Sequence, residues 1–223
     1  MTAEKAFSFS HSEPAYLRTP HLDASDAASI RMELATYFNA TCDRYESLFE
    51  TLKSDEGFYQ KSIPLRHPLI FYYGHTATFF VNKLLLAGLL SQRINPRFES
   101  MFAVGVDEMS WDDLNDAHYD WPTVAEVTAY RQQVRAAVNQ LIQSAPLQLP
   151  INWDNPWWAI IMCIEHEQIH LETSSVLIRQ QQIQWVQNQP AWQASELSGP
   201  APENTLLPVT AGEIQIGKSF DDA

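Results

Sequence analysis

Cysteine is scarce in this chain of 223 residues: only Cys42 and Cys163 occur, far apart and outside any CxxC pattern. That argues against a disulfide framework and fits a reducing cytoplasm. Positive charge is short as well. Lys and Arg number 14 against 27 Asp and Glu, and the net charge of -13 repels phosphate backbones and anionic membrane surfaces. Nucleic acid is therefore not an expected partner. Long apolar runs are missing too: the stretch from Val81 to Leu90 is broken by Asn82 and Lys83 and is too short to cross a bilayer. Met1 to Ser10 carries Glu4 and Lys5 and has no continuous apolar core of a secretory signal.

What is present is enough apolar material for one substantial core, at 45% hydrophobic and 12% aromatic residues. Its spacing is helical. From Ala24 to Leu52, apolar residues recur at Ile30, Leu34, Tyr37, Phe38, Cys42, Tyr45, Leu48 and Phe49, three or four apart. A second pattern opens at Pro68 and runs through Phe71, His75, Phe79 and Leu86 to about Leu90, apolar nearly all round and hence central. A long, acidic and aromatic connection, Ser91 to Trp121, separates it from the next helix. That helix begins at a capping box of Thr123 and Glu126 and carries Val127, Tyr130, Val134, Val138 and Leu141 on one face. Asn155 and Pro156 announce a fourth, from Trp157 to Gln182. Four long helices with one extended crossover predict an all-α four-helix bundle, an architecture that builds metal sites from side chains on facing helices.

Histidine supplies the chemistry. In Glu165-His166-Glu167-Gln168-Ile169-His170 the two imidazoles stand four residues apart, on one face of the fourth helix, where both can reach one ion. His75 sits mid-way along the central helix, where an unpartnered imidazole is costly. It is read either as a core histidine bonded to a carbonyl or a tyrosine, or as the third ligand of a His75–His166–His170 triad; the neighbouring pair favours the triad. Three neutral imidazoles leave a divalent ion its charge and open coordination positions for water, anions or dioxygen.

The HExxH spacing also belongs to zinc proteases. Against that stand the absence of a glycine or third histidine in Leu171-Glu172-Thr173-Ser174-Ser175 and of a strand ahead of the helix. His67, ahead of Pro68, is expected at a helix entry, capping or in solvent. His118 is expected exposed in the acidic loop, and His11 and His21 lie in the irregular opening. Cys163 shares the face of His166 and is read as packing, as are Trp157 and Trp158. Glu167 and Tyr72 are the candidates for supporting the ligands from behind.

The segments Arg66-His67-Pro68-Leu69-Ile70-Phe71-Tyr72-Tyr73-Gly74-His75-Thr76, Ile94-Asn95-Pro96 and Glu165 to Ser175 resemble the N-terminal DinB-like domain of 5-histidylcysteine sulfoxide synthases. These enzymes serve ovothiol biosynthesis and are related to the ergothioneine sulfoxide synthases. The likeness covers most of Pro64 to Gln180. It implies a DinB-like bundle holding non-haem iron(II) through His75, His166 and His170, with zinc or nickel as substitutes in a purified sample. It implies histidine, cysteine and dioxygen as substrates, the cysteine sulfur being joined to C5 of the imidazole and oxidised.

Leu207-Pro208-Val209-Thr210-Ala211-Gly212-Glu213-Ile214-Gln215-Ile216-Gly217 is similar to the opening strand of a formylglycine-generating-enzyme-like domain, which follows the bundle in that family and carries a catalytic tyrosine. The expected organisation is thus an irregular segment at 1–22, the bundle at 23–185, a linker rich in Gln, Pro and Ser at 186–206 and a truncated second domain at 207–223. On that organisation the chain is a fragment without a complete catalytic pocket. Two alternatives stand beside it: a DinB-like metal-dependent thiol transferase, and a non-enzymatic metal-binding or interaction module.

Overall fold

Four long helices form because each presents an apolar stripe at helical spacing and each begins at a side chain or proline able to serve a helix start. A computed structural model describes residues 19–20, 22, 26–103, 119–193, 199–201 and 203–217. Its helices are α1 (Ala27–Phe49), α2 (Glu56–Tyr59), α3 (Leu69–Leu86), α4 (Pro96–Met101), α5 (Val124–Ser144) and α6 (Trp158–Arg179). Asp26 starts α1, its carboxylate accepting the backbone N–H of Ala28 and Ser29, each at 3.1 Å. Thr123 and Glu126 close the capping box of α5 reciprocally. Asn155 acts one turn ahead of α6, where its Oδ1 accepts from Trp157 N at 3.0 Å.

The second helix ends sooner than its apolar residues predict. Gly88 adopts the left-handed conformation at φ 71°, and Leu89 N and Gly88 N bond back to Leu84 and Leu85 carbonyls. That C-terminal lock stops α3 at Leu86 although Leu89 and Leu90 continue the pattern.

Helix α3 packs on α5 and α6, and α1 packs on the same two from the opposite side. The centre is apolar and aromatic, with the Phe38 and Phe80 rings meeting edge to face at 5.2 Å across it. Trp157 is enclosed beneath α6, donating from Nε1 to the Pro146 carbonyl at 2.8 Å, and Cys163 is fully buried, both as packing residues.

Three differences from the sequence reading have physical causes. The crossover contains α4, too short for a periodic signal, capped by Asn95 Oδ1 and pinned by buried Glu99, which accepts Ile94 N at 2.8 Å and Asn95 N at 2.7 Å. The start of the expected linker is strapped to the end of α1: Val186 pairs with Leu52, Gln187 N donates to Thr51 O at 2.8 Å, and Gln189 bonds Glu50. Glutamine there supplies amides to a helix end rather than a flexible tether. Residues 203–217 form neither helix nor strand, with Val209, Ile214 and Ile216 exposed. A strand needs a neighbour for its backbone hydrogen bonds, and the described residues offer none. Among the described residues the architecture is all-α, and no helix is long and apolar enough to cross a membrane.

Candidate metal centre

The helix geometry brings His75 from α3 together with His166 and His170 from α6. One ligating atom of each lies within 4.8 Å of the other two. His75 and His170 are buried and His166 is partly so. His75 Nε2 stands 3.4 Å from His166 Nε2, and the His170 ring centre is 4.8 Å from that of His75 and 4.5 Å from that of His166. Two nitrogens bound to one ion at about 2.1 Å, with angles near 90–110°, lie roughly 3.0–3.4 Å apart, so the His75–His166 spacing suits a shared ion.

The protonation state suits it as well. Burial, then the neighbouring His170 and His75 rings and the Lys83 ammonium, push the His166 pKa down to about 2. Burial followed by His75 brings His170 to about 3. Both imidazoles are therefore neutral at neutral pH, the form that binds a metal. His75 has its tautomer set by a backbone contact: Nδ1 lies 2.7 Å from the Phe102 carbonyl, which only accepts, so Nδ1 carries the hydrogen and Nε2 the lone pair. The Nδ1 of His166 is enclosed without a hydrogen-bond partner among the described residues. That ring is positioned instead by stacking on Phe79, at 3.6 Å and 11°. Three convergent rings, two of them held neutral by burial and, among the described residues, only His75 anchored by a short hydrogen bond, fit a metal ion better than a structural hydrogen-bond cluster.

Neither supporting residue picked from the sequence bonds to a ligand. Glu167 turns the other way, into the core, where Oε1 takes Arg131 at 2.8 Å and Thr76 Oγ1 at 3.1 Å, and Oε2 lies 3.5 Å from the Cys42 thiol. It ties α6 to α3 and α5 one residue past His166. Tyr72 packs its ring 6.0 Å from that of His170 and forms part of the wall. Burial raises its phenol pKa above the usual value despite Arg66 nearby, so it stays protonated. On the outer side Glu165 accepts from Tyr37 Oη at 2.7 Å, and burial together with that carboxylate raises the Tyr37 phenol to about 12.

His67 is not in solvent. It is buried against Phe71 at 4.3 Å, with Tyr119 and Trp121 beside it, because the chain entering α3 folds under the end of the crossover. Cys163 stands outside the cluster, its thiol pKa raised by burial. His11, His21 and His118 lie outside the described residues.

A bundle whose facing helices converge three imidazoles within reach of one ion is a metal-binding helical domain in form. Residues 37–174 match the DinB superfamily, a span that contains all three histidines, and the chain belongs to that superfamily. It is also similar to Ergothioneine biosynthesis protein 1 of Neurospora crassa, 28% identical over 168 residues that cover 69% of this chain and 19% of that protein. The chain thus spans about a fifth of the length of the curated relative it matches.

Proposed function

We propose that this chain is the iron-holding helical domain of a sulfoxide synthase, which joins the sulfur of cysteine to an imidazole carbon of histidine at the expense of dioxygen. The observation that carries the reading is the convergence of His75, His166 and His170 within a DinB bundle related to an ergothioneine biosynthesis protein. Two residue-level features support it. The neutral imidazoles leave the charge of a divalent ion available to a thiolate, and the aromatic walls Phe79 and Tyr72 restrict water on two sides.

The overall change balances simply. One thiol S–H and one imidazole C–H are lost, one C–S and one S–O bond form, four electrons pass to dioxygen, and its second oxygen atom leaves as water. Iron(II), when bound by the three histidines, supplies the redox partner through which dioxygen reacts. The protein's own contribution is positional. His75 keeps its proton on Nδ1 against the Phe102 carbonyl, the α6 pair stays unprotonated through burial, and Lys83, its ammonium 4.9 Å from the Phe79 ring, adds positive charge beside the site.

The finer assignment is to the ovothiol branch, with free histidine as acceptor and bond formation at C5, as the segments around His75 and His170 suggest; the fungal relative's name points to the ergothioneine branch. The position of the new C–S bond separates them. A cytoplasmic setting accords with Cys42 and Cys163 being free, buried thiols.

The test is anaerobic loading with iron(II), addition of histidine, cysteine and oxygen, and mass spectrometry with NMR of the product. One iron per chain and a coupled sulfoxide are expected. Iron bound without product leaves a metal-binding module, and preferential zinc or nickel binding with thiol transfer selects the transferase alternative. A chain that binds no metal removes the synthase, transferase and metal-binding readings and leaves an interaction module.

A further inference from the structure

Gly74 occupies the interior of α3, directly before His75, where local helix preference disfavours glycine. Its backbone conformation does not require it, since its φ is not positive. The reason is space. A methyl group placed there meets three carbons of the Phe102 ring, at 2.5 to 2.6 Å, far inside van der Waals contact. The Phe102 ring, fully buried, therefore lies directly on the α3 backbone. It is held there from other sides by Trp121, stacked at 6.1 Å and 17°, by Phe98 at 5.6 Å and by Phe71 at 6.3 Å.

Phe102 is also the residue that closes α4, its own N–H bonding to Phe98 O at 2.9 Å. A carbonyl at that position lies past the last helical turn and requires a donor from outside the helix. His75 Nδ1 is that donor, at 2.7 Å. The ring and the carbonyl belong to one residue, so where the ring can sit fixes where the carbonyl points.

We infer that Gly74 and Phe102 together form the positioning device of the metal centre: the missing side chain seats the Phe102 ring against α3, and the seated residue presents its carbonyl to His75 Nδ1, leaving Nε2 as the binding nitrogen. The crossover segment thereby sets the orientation of a ligand on α3. The inference rests on the triad as a metal site and not on the reaction assigned to it.

The experiment has an arm without metal and one with it. In apo protein carrying 15N-labelled histidine, two-bond 1H–15N correlations read the tautomer of His75, and the Nδ1–H form is expected. In Gly74→Ala that preference is lost, and zinc(II) affinity, measured by competition with a chromophoric chelator, falls about 10- to 100-fold, the range for losing a hydrogen bond behind a metal ligand. Gly74→Ala combined with Phe102→Leu removes the crowding ring atoms while retaining the carbonyl, and restores both readouts towards wild type. An Nε2–H tautomer in the wild type, unchanged affinity in folded Gly74→Ala, or no recovery in the double variant overturns the inference. Should Gly74→Ala not fold, the wild-type tautomer and the double variant decide. Wild-type protein that binds no zinc overturns the triad instead, while the tautomer readout still judges the device.

Discussion

Two buried polar clusters lie side by side in this bundle, one built around Arg131 and one around the histidines, and their boundary runs between consecutive residues. Thr76 and Glu167 belong to the first, His75 and His166 to the second. The Arg131 cluster is closed. Its guanidinium bonds Glu46 at 2.9 Å and the Tyr73 carbonyl, Thr76 and Glu167, each at 2.8 Å. Burial by itself lowers the Arg131 pKa, but the Glu46 and Glu167 carboxylates hold it well above its ordinary value. The histidine cluster is open: its rings are placed by stacking, one short backbone hydrogen bond, a long contact of 3.5 Å from Thr173 Oγ1 to His170 Nδ1 and helix register, and the His166 Nδ1 has no hydrogen-bond partner among the described residues. A cluster that satisfies itself sets the relative positions of helices, and one that cannot is available to a ligand.

The largest expected effect breaks the closed side. Arg131→Ala strands the buried Glu167 carboxylate and takes a partner from the partly exposed Glu46, and is expected to cost about 3–5 kcal/mol of folding stability, read by denaturant unfolding of the metal-free protein. A loss under about 1 kcal/mol contradicts a closed cluster.

On the open side the effects differ. His166→Ala and His170→Ala are expected to lower zinc or iron affinity by more than about tenfold each while costing the metal-free protein less than Arg131→Ala does, because each removes a ring held by packing rather than by a short hydrogen bond and strands no charge. Titration and thermal melts of the same samples check both halves.

Acid sharpens the contrast. The unfolded chain takes up protons on these histidines below pH about 6.5, whereas folded His166 and His170 resist until about 2 and 3. They impose no proton-linked penalty above pH about 6.5, and stability falls as pH drops from there towards 3, while the unfolded chain binds protons that the folded one does not. The metal-free wild type is expected to lose stability between pH 7 and pH 5, and a His166→Ala/His170→Ala variant to lose less; parallel pH slopes oppose the assignment.

The smallest effects fall outside both clusters. Tyr37→Phe removes the hydrogen bond to Glu165 and is expected to cost about 0.5–1.5 kcal/mol. His67→Ala removes aromatic packing; neither change should alter metal content.

Much of this contrast is written in residue spacing. The pair His166 and His170 is visible because four residues make one helical turn, and the α5 start because Thr123 and Glu126 are themselves the cap. The Arg131 cluster also left a trace, since Arg131 lies on the Val127, Tyr130, Val134 face and Glu167 on the Cys163, His170, Ser174 face. A charge on each of two apolar stripes is the signature of a buried pair, yet which charge meets which depends on tertiary placement. The Phe102 carbonyl has no signature at all, because any residue carries one. His67 was read from the proline that follows it, and its burial comes from Tyr119 and Trp121 folding back across a long separation.

The most direct measurement is anomalous diffraction at the iron edge from crystals grown anaerobically with iron(II). One peak is expected, about 2.1 Å from a single nitrogen of each of His75, His166 and His170, and it should vanish in His75→Ala. Density between the histidines that persists unchanged in that variant, or a peak elsewhere with none at the triad, contradicts the account.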